Sequence, residues 1–230
     1  MNVSDGSLFL NSPTELTTSA TDAVLAIECV AVGLFVCRAP SADRWRAALW
    51  ASVFGLVAFS SVLGAVVHGF DLSNTVRSAL WKPLYLSLGV LVALFVVGAL
   101  YDWRGRGVAV RFLPWSIGVG VAFFGWTQSF SDSFVVFVGY EALAMLSALA
   151  IYLRLAATRQ LPGAGIVATA ILVNLLAAGV QASSLSIRIG FPFDHNGVFH
   201  LIQMIGIALL GLGLSRASSS ATGPTQGVET

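Results

Sequence analysis

Three histidines, His68, His195 and His200, are the only imidazoles in this chain of 230 residues. Neutral imidazole is a common zinc ligand, and three converging on one ion leave a fourth position open for water. The segment 193–206 adds Asp194, Asn196 and Gln203 to two of them in an otherwise apolar stretch. Asn196, His200 and Gln203 follow an i, i+4, i+7 spacing and share one helix face. His195 and His200 lie about 140° apart around a regular helix, so both reach one metal only if His195 precedes the helix. Pro192 upstream, with Asp194 or Asn196 as the cap, makes that arrangement available. The same string also reads as a capped helix start with a polar interfacial belt.

His68 ends the string 60–68, which places Ser61 on its face two turns away with Gly64 between them. Gly64 leaves room there for a ligand or a water. Alone, His68 reads equally as an interfacial residue. Glu28 and Glu141 stand inside apolar runs, where an ionisable group costs about 2.5–3.5 kcal/mol. Glu28 reads as a carboxylate fixing the tautomer of a ligand histidine, or as a neutral acid bonded to another helix. Glu141 reads as a catalytic group or as an interhelical lock with Tyr140 or Asn174.

The elements that must position these groups are membrane spans. The chain is 57% hydrophobic and 10% charged, with mean hydropathy +0.85. Soluble proteins carry about 25% charged residues. Apolar runs at 22–37, 47–69, 79–101, 112–129, 133–153, 164–185 and 196–215 each approach the roughly 20 residues a span requires. The expected fold is an all-α, seven-helix transmembrane bundle over 21–216, with polar, disordered segments at 1–20 and 217–230. Residues 1–20 contain no Lys or Arg, so the first run reads as a retained helix, not a cleaved signal. Cys29 and Cys37 are about 12 Å apart along that helix and do not pair. A net charge of +1 gives no footprint for nucleic acid. The tryptophans fall mainly near run ends, as interfacial anchors. Gly33, Gly89, Gly118, Gly120 and Gly179 suggest close helix packing.

Arg38, Arg44, Arg46, Arg104, Arg106, Arg111, Arg154, Arg159 and Arg216 flank one side of the spans, and Arg77, Lys82 and Arg188 the other. The positive-inside rule then puts the N-terminus outside and the C-terminus in the cytoplasm. The Ala, Gly, Val and Arg bias suggests a bacterial cytoplasmic membrane. All three histidines fall at the outer ends of helices 2 and 7. Most other polar residues lie in the outer half.

Seven spans carrying these groups resemble the alkaline ceramidase and progestin/adiponectin-receptor superfamily of membrane hydrolases. The string Asn196-Gly-Val-Phe-His200 has the shape of its helix 7 H-x3-H pattern, with Asn in the first place and His195 one residue early. His68 and Glu28 match by position in helices 2 and 1. Gly64 stands at the family's serine position, with Ser61 nearby, and Asp71 or Asp194 is offered for its aspartate. The resemblance implies zinc held by His68, His195 and His200, with a metal-bound water attacking a lipid amide. Asp194 or Glu28 then orients a ligand or takes the water's proton, and Ser61 helps hold the oxyanion. The alternative is a non-enzymatic sensor or small-molecule transporter with a polar pocket in its outer half. A retinal protein is disfavoured, because the single lysine, Lys82, lies in helix 3. A structural membrane partner is the third reading.

Overall fold

A computed structural model describes residues 8–38, 43–130 and 134–219. Its helices are α1 (Pro13–Cys37), α2 (Arg44–Gly69), α3 (Asn74–Arg104), α4 (Arg106–Phe130), α5 (Phe134–Ala157), α6 (Ala164–Gln181) and α7 (His195–Ser219). All seven are long and apolar enough to cross a membrane. A hairpin of β1 (Ile187–Ile189) and β2 (Phe191–Phe193) connects α6 to α7. The all-α, seven-helix expectation is met, apart from that hairpin.

Short polar residues start the helices by accepting from otherwise unpaired first-turn amides. Ser12 caps α1 with Pro13 in its first turn, and Ser73 caps α3. Asp43 caps α2 through the Trp45 amide at 2.8 Å. The Tyr101 hydroxyl and the Trp45 amide hold the Asp43 carboxyl below the ordinary carboxylate range. Asp194 caps α7 by accepting from the Gly197 amide at 2.9 Å.

The first helix begins nine residues before the apolar run at 22, inside the segment expected to be disordered. Hydropathy hides it because its first turns carry Thr14, Thr17, Thr18 and Thr21. Thr18 is fully buried, and Thr21 nearly so. Ahead of the helix, the Leu10 amide donates to Gly69 O at 3.1 Å, and Phe9 pairs with Phe70. Residues 217–219, expected to be disordered, continue α7, and residues 1–7 and 220–230 of the expected disordered segments lie outside the described residues. At the far end, α6 stops four residues short of the apolar run. The freed residues lead into the hairpin, which turns at Gly190 with φ +71°.

Packing follows a closed order: α1 against α2, α2 against α3, α3 against α5, α5 against α6, α6 against α7, and α7 back onto α1. Helix α4 stands outside this ring. It packs mainly on α3, where a Cβ on Gly89 would sit 2.8 Å from Gly120 O, and Phe123 stacks on Tyr140 of α5. Of the glycines expected to bring helices together, Gly33, Gly89 and Gly120 do so, whereas Gly118 and Gly179 face open space. Trp50, read as an interfacial anchor, is instead fully buried, edge-on to Phe95 and packed over Gly98.

One end of the ring is closed by a polar knot. Arg46, read from sequence as an ordinary flanking charge, is buried and forms a bidentate pair with Asp102 at 2.7 and 3.0 Å. Tyr152 donates to the same carboxylate at 2.9 Å, and Arg46 also reaches the Ser218 hydroxyl at 2.8 Å. The knot ties α2, α3, α5 and α7 together. Removing one partner of such a pair leaves a buried charge uncompensated. Asp102→Asn is therefore expected to lower stability by about 3–5 kcal/mol, against about 1 kcal/mol for Tyr152→Phe. Unfolding of both variants in nanodiscs checks this; equal, small losses would show that the pair does not hold the ring.

Candidate polar cavity between helices

The opposite end of the ring is open. There α2 and α6 finish while α1, α3, α5 and α7 begin, and their side chains enclose a cavity of about 530 Å³. The size lies within the usual range for small-molecule sites. Its walls are mainly apolar: Leu84, Leu88 and Val92 of α3 face Val57 of α2, Phe137 of α5 and Phe199 of α7. Set into them are Asp22 of α1, Ser60, Ser61 and His68 of α2, and Glu141 of α5. Gln181 of α6 and His195, Asn196, His200 and Gln203 of α7 complete the polar part.

All three histidines thus line one cavity, but they do not form a metal centre. Among the described residues, no group of three or more His, Cys, Asp or Glu side chains is placed to hold a metal ion. This overturns the expectation of zinc, and with it the zinc-dependent lipid amide hydrolase. The rings are instead tied to different neighbours. His68 Nδ1 is 2.6 Å from Glu15 Oε2, and its ring stands edge-on to Trp81. His200 is buried, with Nδ1 3.0 Å from the Thr21 hydroxyl and Nε2 3.4 Å from Asp22 Oδ1. The Thr21 hydroxyl spends its own hydrogen on Thr18 O at 2.9 Å, so His200 Nδ1 is the donor to Thr21. His195 is the first residue of α7, not a pre-helical ligand, because Asp194 takes the cap.

The expected catalytic residues are scattered. Ser61 is buried and lines the cavity. Asp194 does not line it: its Oδ1 accepts from the Gly197 amide and from the Thr18 hydroxyl, both at 2.9 Å, which fastens α7 to α1. Glu28 also lies off the cavity, and its Oε2 is buried with no hydrogen-bond partner among the described residues. Glu141 does reach the cavity. Neither lock proposed for it forms, since Tyr140 donates to Gly89 O and Asn174 to Ala170 O.

Sequence reasoning missed Asp22, a buried acid at the centre of this end. A Cβ on Gly64 would sit 2.5 Å from Asp22 Oδ2, so the missing side chain there makes room for the carboxyl. The antiparallel register that places it there is visible only in the structure. Glu15 and Asp22 share a face of α1 at i, i+7, and His68 and Gly64 share a face of α2 at i, i−4. The pair Glu15–His68 implies Asp22–Gly64. Ser19, between the two acids, donates to Ala65 O at 2.7 Å and confirms the register.

The family of unknown function DUF6962 matches residues 17–219, and the chain belongs to that family. No curated protein and no solved structure matches.

Gly64→Ala tests the geometry of this end. The added methyl must displace Asp22 or spread α1 from α2, at a cost of about 1–3 kcal/mol. Gly118→Ala, where nothing lies within 4 Å of the new Cβ, is expected to leave stability unchanged or slightly raised. Equal effects of the two in thermal unfolding would contradict the close approach of Asp22 to α2.

Proposed function

We propose that this chain is a non-enzymatic small-molecule receptor of a bacterial cytoplasmic membrane, with its N-terminus outside and its ligand cavity in the outer half. The observation that carries the reading is the cavity itself: mainly apolar walls on which polar groups from α1, α2, α5, α6 and α7 converge. Such a combination is the usual signature of a binding site. The orientation is supported by the basic residues, nine of which flank the end away from the cavity. The likeness to the ceramidase-type superfamily enters only as a proposed kinship of helix arrangement, without its metal chemistry.

Sensing is favoured over transport by the contrast between the two ends. Beyond the cavity the interior is filled by Trp50, Phe54 and Tyr152, all almost completely buried, and the Arg46–Asp102 pair closes the ring behind them. Transporters of the inverted-repeat type bind at discontinuous helices near the bilayer midplane. Here the cavity is bordered by continuous helices.

Ligand-induced stabilisation provides the test. A compound present at about 100 times its Kd stabilises the folded state by about 2.7 kcal/mol. Screening the protein in nanodiscs is expected to find such compounds, and Leu88→Trp, which fills the cavity from α3, is expected to abolish their effect. A chemically broad screen with no stabilising compound, or stabilisation that survives Leu88→Trp, would refute the reading.

A further inference from the structure

The chemistry left unmatched in the cavity names a class of ligand. Among the described residues, no Lys or Arg lines it. Of the cations near this end, Arg77 is spent on the carbonyls of Val67 and Phe70, and Lys82 and Arg188 are exposed. Two imidazoles are also committed, His68 to Glu15 and His200 to Thr21 and Asp22. The carboxyl of Glu141 faces the cavity with no described hydrogen bond or counter-ion, and the buried Oε1 of Gln181 has no partner either. Gln181 Oε1 needs a donor, and so does Glu141 when it is ionised. A carboxylate in apolar surroundings also needs a positive charge, because water no longer screens it.

The wall beside them suits a cation. Trp81 and Tyr85 are stacked with ring centroids 5.5 Å apart, and both line the cavity. An aromatic face attracts an ammonium through its quadrupole. The remaining lining, Leu84, Leu88, Leu91, Phe137 and Phe199, accepts an apolar body. Among the described residues, an anion would meet the carboxyl groups of Asp22 and Glu141, with only imidazoles and neutral donors such as Asn196, Gln203 and Ser61 to set against them.

We propose that the cavity binds a small organic amine as its ammonium ion. The N–H groups are given to Glu141 and Gln181, the charge lies against Trp81 and Tyr85, and an apolar or aromatic body rests among the leucines of α3. This rests on the receptor reading above. Two sources share the chemistry: a free amine from the aqueous phase, and the amine headgroup of a lipid.

Calorimetry on the full chain in phosphatidylcholine nanodiscs tests it, with phenethylamine, phenethyl alcohol and phenylpropionate as probes of similar shape. The amine is expected to bind about tenfold or more tightly than the alcohol, the worth of one charge-assisted hydrogen bond. Phenylpropionate is expected to bind weakest. Glu141→Gln is expected to remove the preference for the amine while the alcohol still binds. Should Glu141→Gln fail to fold, Trp81→Leu leaves both acids in place and is expected to weaken the amine more than the alcohol. Competition on exchanging phosphatidylcholine for phosphatidylethanolamine marks a lipid headgroup as the occupant, and unchanged amine affinity marks a free amine; both support the class. Equal binding of the three probes, or an amine preference intact in Glu141→Gln or Trp81→Leu, overturns the amine proposal alone. Absence of binding by all three overturns it together with the receptor reading.

Discussion

Inside a bilayer there is no water to satisfy a polar group, so each one must find its partner within the bundle. That constraint explains the two ends of this protein. At one, Arg46, Asp102, Tyr152 and Ser218 satisfy each other across four helices and close the ring. At the other, Thr17, Thr18, Ser19 and Thr21 turn a face of α1 inward. Their hydroxyls reach Pro192 O, Asp194, Ala65 O and His200. These bonds join α1 to α2, to the hairpin and to α7, yet they leave a space between α1 and the α3–α5 side. Among the described residues facing that space, the buried Oε1 of Gln181 has no hydrogen-bond partner, and Glu141 stands there with no ion pair.

The same constraint decides between metal chemistry and binding. An imidazole must present a free nitrogen lone pair to coordinate a metal. Among the described residues no three such ligands gather: His68 Nδ1 pairs with Glu15, His200 Nδ1 with Thr21, and His195 lies in the first turn of α7. His68 and His200 thus serve as cross-links in the wall of a cavity. What the wall offers an occupant is two carboxyl groups, neutral amides and hydroxyls, aromatic faces and aliphatic surface.

The spans were legible because lipid imposes a length and a composition on them, and seven apolar runs became seven helices. The gathering of the histidines at one end was legible for a similar reason: alternating helix directions carry His68 at the end of α2 and His200 at the start of α7 to the same level. Hydropathy failed where polar residues are buried by packing. The threonine-rich start of α1 reads as a disordered head, and Asp22, at the first position of an apolar run, attracts no role, because neither can be judged without knowing what lies across from it. Helix order in the ring was not legible either. A string of seven spans does not say that α4 stands outside and α3 packs on α5. Glu28 is half-buried, its buried Oε2 has no partner among the described residues, and the structure supplies no physical reason for it.

Sided thiol labelling tests most directly that an open cavity faces one side of the membrane. The native Cys37 is exposed near the arginine-rich end, and Cys29 is buried. With a cationic, membrane-impermeant thiol reagent on intact cells, Glu141→Cys is expected to react at position 141 from outside, as is Ser183→Cys at the cavity wall. Cys37 is expected to react only after the membrane is permeabilised. An inert cysteine at position 141 while Ser183→Cys reacts would show that the cavity is closed. Labelling of Cys37 in intact cells would reverse the orientation.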